Sequence, residues 1–385
     1  RGVGRRSVQL MASTYISRAA TGSVTSDKTF TISHWIKRAG GLGSTQYFFM
    51  HENASSHAQK LGFDFTTANK IRMSWWDGSN EYNLDTKRIF RDTSGWYHFV
   101  FRLDTTQATA SDRVRFYVNG QLEEITNANG SSPTYPGQNA TMNLGQKIMV
   151  HGRYQASSPG SYFDGSLSHI HYCDGQSYAP TVFGETDSTT GEWKIKTDVT
   201  ATYGNNGYFI LKDGNSVTNQ AGNSSGNFSV SGGTLTKTED NPSNVFATIN
   251  PLDNFYNGLT ITNGNTSWVS GSSYSVTRST LGASSGKYYF EMKVVNEGNT
   301  DYEFGIVGAA GTSTSSWMGS SGSYGYAYES NAELRANGTT VDPWGSTYDD
   351  GDILGCAFDL DNNKIYFSKN GTWQQSGDPS AGSNG

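Results

Sequence analysis

Apolar and polar positions alternate through much of the first 180 residues. Phe30-Thr-Ile-Ser-His-Trp-Ile36 follows a period of two for most of its length. That period belongs to a strand with one face buried. Short apolar stretches follow at Tyr47–Met50, Leu61–Phe65, Ile71–Trp76, Trp96–Leu103, Val114–Val118, Ile148–His151 and Phe163–Cys173, with Gly, Asn, Asp or Ser in the gaps. Short strands at this spacing predict an all-β sandwich or barrel. Residues 181–250 change character and are dominated by Ser, Thr, Asn and Gly. They still carry Trp193, Tyr208, Phe209, Phe228 and Phe246. So many rings predict a packed, mostly irregular connector lying against a domain face, not a free linker. Strand patterning resumes over 251–385, at Lys287–Val295, Tyr302–Val307, Tyr324–Tyr328, Asp352–Phe358 and Lys364–Phe367.

The two halves echo each other. Phe101-Arg-Leu-Asp104 precedes Arg113-Val-Arg-Phe-Tyr-Val-Asn-Gly120, and Phe358-Asp-Leu-Asp361 precedes Lys364-Ile-Tyr-Phe-Ser-Lys-Asn-Gly371. Each reads as strand, Asp-containing turn, strand, then Asn-Gly. Asn-Gly tolerates the positive φ angles of a type I′ turn, whose twist suits the flanking strands. The expected organisation is two related β-sandwiches, 1–180 and 251–385, joined by the connector 181–250.

Composition narrows the function. The 385 residues include 46 Gly, 22 Tyr, 19 Phe and 9 Trp, and only 16% are charged. Such an aromatic share argues against disorder, and long 3.6-period runs are absent. The net charge is −6, and the one cationic cluster is Arg1, Arg5 and Arg6. A surface that tracks phosphates needs several cations on one face, so nucleic-acid binding is not expected. No apolar run approaches a membrane-spanning length, so no membrane insertion is expected. Cys173 and Cys356 do not form a disulfide framework.

Several motifs carry a family resemblance. Phe30–Arg38, Trp96-Tyr-His-Phe-Val-Phe-Arg-Leu-Asp104, Arg113–Gly120 and Phe163-Asp-Gly-Ser-Leu-Ser-His-Ile-His-Tyr-Cys-Asp-Gly175 resemble the laminin-G-like, concanavalin-A-like jelly roll. Gly286-Lys-Tyr-Tyr-Phe-Glu291, Phe304-Gly-Ile306, Gly325-Tyr-Ala-Tyr328 and Gly351-Asp-Ile-Leu-Gly-Cys356 resemble a SPRY domain. SPRY domains continue through further strands after the Asn-Gly hairpin, whereas 14 residues follow Gly371 here. That sheet is expected to close differently or with chain beyond residue 385. Phe183–Trp193, Tyr203–Phe209 and Asn241–Pro251 resemble connectors of bacteriophage tail-fibre and virion proteins, those of marine podoviruses among them. The resemblance implies two concanavalin-A-like sandwiches on a virion, contacts with other virion proteins and a trimeric homo-oligomer. It also implies a single calcium at the rim of the first sandwich, held by an Asp that no motif places; Asp77 and Asp104 both remain open. No other cofactor is expected.

The catalytic patterns in the sequence are incomplete. A retaining glycosidase needs two carboxylates about 5–5.5 Å apart. The family's Glu-x-Asp-x-x-Glu strand is missing, and Glu185-Thr-Asp187 supplies only its first half. Gly222–Gly226 and Gly282–Gly286 fit Gly-x-Ser-x-Gly, but neither has the helix that a nucleophile elbow requires. Asp359-Leu-Asp-Asn-Asn363 lacks the Gly and Glu of a calcium loop and reads as a hairpin turn. His169 and His171, two apart on a strand, could chelate a metal with a third ligand. No catalytic or metal residue is assigned, and an enzyme is not expected.

Binding candidates are rings beside Asx residues. Trp75-Trp76-Asp77-Gly78 is followed by Asn80, Glu81 and Tyr82. A flat ring covers the apolar face of a sugar, and Asp or Asn bonds its hydroxyls. The two Trp side chains must point to opposite faces of a strand, so one belongs to the core. Trp317, Tyr324 and Trp344 fall in or near loops of the second sandwich, where binding residues concentrate. The candidate ligand-binding residues are therefore Trp75, Trp76, Asp77, Asn80, Tyr82, Trp317, Tyr324 and Trp344. The expected function is attachment: a tail-fibre or virion-surface adhesin for host-surface polysaccharide. The alternatives are a purely structural capsid-decoration or tail-assembly protein and, more remotely, a polysaccharide depolymerase.

Overall fold

The computed structural model describes the chain except for residues 1–6, 11–12, 20–21, 54–55, 77–78, 143–147, 156–158, 213–215, 256–257, 272–274, 297–301, 309–317 and 323. The chain is nearly all β and forms two compact units. One comprises Arg1–Pro251 with Ile261–Trp268; the other comprises Leu252–Thr260 with Val269–Gly385.

The first unit is a sandwich of two eight-stranded antiparallel sheets. The first sheet runs Gln121–Leu122, Val114–Val118, Tyr97–Asp104, Thr29–Arg38, Gly165–Asp174, Ser7–Leu10 and Thr236–Thr238, and Tyr208–Ile210 also pairs with Gly165–Asp174. The second runs Ile125–Asn127, Glu81–Thr86, Ile71–Trp76, Ser56–Phe65, Gln46–Asn53, Ile148–His151, Tyr15–Arg18 and Ser229–Ser231. Between them lies a core of rings and branched aliphatics that includes Phe30, Phe49, Phe63, Phe65, Trp75, Phe101 and Tyr172.

Two bulges set which rings enter this core. Tyr47 pairs with Asp64 and Phe49 with Phe63, so one extra residue sits between them. An extra residue breaks strict alternation. Phe48 and Phe49 therefore both face inward, while Tyr47 turns outward onto the row of Asp64. The second bulge lies between Ser168 and His171, where His169 takes a φ of 44°.

The segment 181–250 belongs to the first unit and does more than lie against it. Tyr208–Ile210, Ser229–Ser231 and Thr236–Thr238 extend its sheets. The rest covers the outer face of the first sheet. Trp193 and Ile195 pack on Trp35 and Trp96; Phe183 packs with Val100 and Cys173. The cover is pinned by Asp240, which accepts from Lys37 Nζ at 2.6 Å and Trp96 Nε1 at 2.9 Å. All ten residues of Gly165–Asp174 are buried, as expected for a strand covered on both faces.

Histidines are part of this interior. His34, His51, His98, His151, His169 and His171 are all buried. His34 Nε2 lies 3.2 Å from His151 Nδ1, and His151 Nε2 lies 2.8 Å from the Tyr208 hydroxyl. On the covered face, Trp193 Nε1 donates to His98 Nδ1 at 2.9 Å, so His98 Nε2 carries the proton toward Ser33 Oγ at 2.8 Å. Burial pushes His98 and His151 down to about 3 and holds His34 and His171 well below the usual range.

The second unit pairs two four-stranded antiparallel sheets. One orders Lys287–Lys293, Ile353–Asp359, Lys364–Lys369 and Thr372–Trp373; the other orders Glu303–Val307, Gly325–Glu329, Leu334–Ala336 and Thr339–Val341. Phe304, Tyr328, Tyr348, Leu354, Cys356 and Phe367 form its core. Asn119-Gly120 and Asn370-Gly371 have φ values of 49°/78° and 51°/79°, as type I′ hairpins require. Cys173 and Cys356 are free and buried.

Two stability predictions follow from the covered sheet. Asp240→Ala strands the Lys37 ammonium in a buried site, and removing one partner of a buried pair costs about 3–5 kcal/mol; chemical denaturation should show that loss, with Lys37→Met/Asp240→Leu recovering part of it. Acidification is the second. The four histidines have folded pKa values below their unfolded ones, so the unfolded state binds more protons below pH about 6.5. Stability is complete above that pH and falls as pH drops toward 3. Burial also raises Asp64, Asp164 and Glu123 in this unit, and Glu303 and Glu329 in the other, and these carboxyls oppose the loss. The Tm of the first unit should drop between pH 7 and pH 5, measurable by calorimetry; a flat profile would contradict it.

Candidate functional site

The outer face of the second sheet differs from its sealed counterpart. Three adjacent strands place their polar residues on it in register. Asp64, Arg72 and Asp85 form one row, and Gly62, Ser74 and Asn83 the next. Trp76 opposite Glu81 forms the third, with Lys60 ion-paired to Glu81. The alternate residues, Leu61, Phe63, Met73, Trp75 and Leu84, fill the core.

Most of these polar groups satisfy one another. Arg72 grips Asp85 with two parallel hydrogen bonds, Nε to Oδ1 at 2.7 Å and Nη2 to Oδ2 at 3.0 Å. Lys60 Nζ lies 2.6 Å from Glu81 Oε1. Ser74 Oγ donates to Asn83 Oδ1 at 2.6 Å. Rings flank the rows. Tyr47 stands beside Asp64 and packs on Tyr154 with centroids 4.9 Å apart; half-buried Trp76 stands at the other end. Burial pushes the Asp64 carboxyl up to about 7, against the pull of Arg72 and Lys60 and with help from Asp85.

The sequence candidates divide as follows. Trp75 is fully buried and stacks on half-buried Tyr82 at 4.3 Å and 8°. It is a core ring and cannot touch a ligand. Trp76 is the outward member of the pair, and Asn80 is exposed beyond it. Asp77 and Trp317 lie outside the described residues. Tyr324 is 58% exposed. Trp344 packs edge-on against Tyr328 and Phe367, at 5.4 and 5.8 Å, and belongs largely to the second core. The candidates of the two sandwiches thus fall in separate units. Sequence reading missed Tyr47, Asp64, Arg72, Ser74, Asn83 and Asp85. Their signal was the polar alternation 60/62/64, 72/74/76 and 81/83/85 across three consecutive strands.

The catalytic and metal patterns have structural uses. Glu185 and Asp187 both approach Lys194 Nζ, at 3.5 and 3.0 Å. Asp104 holds its own turn through Thr106 and Gln107. Asp359 accepts from the amides of Asp361 and Asn362 in a hairpin turn. His169 bonds Ser168 Oγ through Nδ1, and His171 Nδ1 lies 2.8 Å from the Tyr203 hydroxyl while its ring stacks on Phe209 at 3.9 Å. The bulge between Ser168 and His171 breaks the simple i, i+2 arrangement on which a chelating pair depends. Among the described residues, no group of three or more His, Cys, Asp or Glu is placed to hold a metal ion.

Comparison with known proteins assigns domains to both parts of the chain. Residues 10–175 match the concanavalin A-like lectin/glucanases superfamily, and residues 287–377 match the SPRY domain. Over 90 residues the chain is 34% identical to Ran-binding protein 9 and 36% identical to Ran-binding protein 10, both of Danio rerio. That stretch is 23% of this chain, which spans only 15% of either relative. Among solved structures it resembles a pentraxin of Limulus polyphemus (13% identity, 56% of this chain and 94% of that chain, TM-score 0.36). It also resembles a putative carbohydrate-binding protein of Bacteroides ovatus (14%, 61% and 60%, TM-score 0.38). A third is mouse laminin alpha1 LG4-5 (9%, 97% and 78%, TM-score 0.35).

Proposed function

We propose that the protein is a non-catalytic, carbohydrate-binding attachment protein whose first unit seats a glycan on the outer face of its second sheet. The observation that carries this reading is the contrast between the two outer faces of one lectin-type sandwich. One is sealed by rings of the segment 181–250. The other carries Tyr47 and Trp76 beside rows of hydroxyl, amide and carboxylate groups. Such a face offers what a sugar needs: flat apolar area and hydrogen-bonding groups held by a rigid sheet, with little entropy lost on binding.

The second unit takes a different role in this proposal. Tyr288, Tyr289, Tyr324 and Tyr326 are exposed large rings, and exposed tyrosines are typical of protein–protein contacts. The second unit docks onto a larger assembly while the first reaches a surface glycan. A virion-surface or tail-fibre adhesin, assembled as a homo-oligomer with other virion proteins and directed at host polysaccharide, fits that division. Weak sugar contacts would gain strength from several copies. The same exposed tyrosines favour the second reading, a purely structural decoration protein, in which both units bind only protein.

Glycan-array binding and inhibition of adsorption by the purified chain test the attachment reading. Trp76→Ala should weaken glycan binding by about tenfold or more, with the fold retained. Tyr289→Ala and Tyr324→Ala should leave sugar binding unchanged. Release of reducing ends from a bound polysaccharide would overturn the non-catalytic assignment. Absence of any sugar binding would leave the structural reading.

A further inference from the structure

The four larger sheets end in short strands, with one exception. Their other terminal strands run from two to five residues. Lys287–Lys293 has seven and, among the described residues, pairs only with Ile353–Asp359. It is exposed at Lys287, Tyr288, Tyr289, Glu291 and Lys293. A long open edge presents a row of unpaired N–H and C=O groups. The bonds at its two ends give the phase of that row. Val294 N donates to Asp352 O at 2.9 Å, and Leu360 N donates to Gly286 O at 3.0 Å. In an antiparallel ladder, residues alternate between facing the partner strand and facing away from it. Tyr288, Phe290 and Met292 therefore spend their backbone groups on Ile353–Asp359, and those of Lys287, Tyr289, Glu291 and Lys293 point to the open edge. The same four residues carry their side chains on the outer face, whereas Phe290 and Met292 pack against the core.

The order along that outer row is Lys, Tyr, Glu, Lys. Tyr289 donates its hydroxyl to Glu291 Oε1 at 2.6 Å. Lys287 Nζ lies 3.2 Å from Asp359 Oδ2, and its side chain remains 64% exposed. A second copy running antiparallel along the edge can meet most of the strand in three symmetric registers. Centred on Tyr289, the pairing sets Lys287 opposite Glu291 of the second copy and Glu291 opposite its Lys287. Centred on Phe290, it sets Lys287 against Lys293. Centred on Glu291, it sets two carboxylates against each other. Opposite charges directly across a pair stabilise it, and like charges destabilise it. Of the three, the register centred on Tyr289 alone brings no like charges together. It also joins the outward N–H and C=O groups of residues 287, 289 and 291 on both copies.

We propose that Lys287–Lys293 is a self-complementary edge through which two copies of the chain join about a twofold axis, centred on Tyr289 and fastened by two Lys287–Glu291 pairs. The occupant is a second copy because the charge order of this edge matches its own reverse. Pairing one edge with itself closes after two copies. The product is a dimer, not the trimer that the family resemblance implies. It also covers Tyr288 and Tyr289, which are 48% and 53% exposed. The proposal does not depend on glycan binding by the first unit.

Sedimentation equilibrium of the intact chain tests this from about 5 to about 200 µM, because so small an interface should dissociate reversibly. The expected result is a monomer–dimer equilibrium. Glu291→Lys and Lys287→Glu each place like charges across the pair and should weaken dimerisation by about tenfold or more. The double variant Lys287→Glu/Glu291→Lys restores the opposition with its signs exchanged and should regain most of the affinity. Glu291→Pro should abolish dimerisation and keep the fold, because Pro removes an N–H that faces the open edge and not the ladder. Circular dichroism and thermal melting check the fold of every variant. Amide hydrogen exchange on the unaltered chain is a second readout: residues 287, 289 and 291 should exchange more slowly at high concentration than at low. A monomer at every concentration, a trimer, a dimer insensitive to Glu291→Pro, or exchange that does not change with concentration overturns the proposal. The first of these leaves the edge to a strand from another protein. Loss of the dimer in Glu291→Pro without recovery in the folded double variant overturns the register centred on Tyr289.

Discussion

A strand that is buried along its whole length needs cover on both sides. Gly165–Asp174 is such a strand, and it lies inside the first sheet between Thr29–Arg38 and Ser7–Leu10. The two-sheet core covers one side. The other would expose Trp35, His98, Val100, His171 and Cys173 to water if nothing lay over it. The segment 181–250 meets that requirement with Phe183, Trp193, Ile195, Tyr203 and Phe209, and Asp240 fastens it to Lys37 and Trp96. The first unit is therefore three layers deep on one side. Burial under this cover holds His98 and His171 neutral, while the two-sheet core does the same for His34 and His151.

That arrangement also determines where binding can occur. The sealed face has spent its rings on packing. The opposite face keeps its charges in cross-strand pairs, and among the described residues Asp64, Thr126 and Trp76 retain unmatched polar atoms there. The division of labour follows from chain connectivity, since the same segment cannot cover both sides. The second unit, with its own core and exposed tyrosines, offers a surface of a different chemistry.

Much of the fold was legible in the sequence, because period-two alternation and the Asn-Gly turns act locally. Phe30–Ile36 and the two echoed hairpins needed no tertiary information. That one of Trp75 and Trp76 would be buried followed from alternation alone; which one did not, because it depends on the sheet against which the strand packs. Phe48-Phe49 is a harder case. A bulge sends both rings inward and Tyr47 outward, and bulges depend on the partner strand. The role of 181–250 was partly visible in its rings, whereas its strands of three residues were too short for any periodic signal. The Asp64 row was missed because each of its residues is unremarkable alone. Only strand register makes them neighbours.

The path of residues 229–238 has a practical bearing. Ser229–Ser231 pairs with Tyr15–Arg18 at one end of the second sheet and Thr236–Thr238 with Ser7–Leu10 at one end of the first, so a single loop supplies the terminal strand of both sheets. Exposed margins invite intermolecular pairing. The homology to lectin-type domains stops at residue 175, well before this loop. Sequence kinship and the cooperative folding block therefore have different limits, and a gene fragment trimmed to the homologous stretch would encode an oily, raw-edged particle prone to clumping.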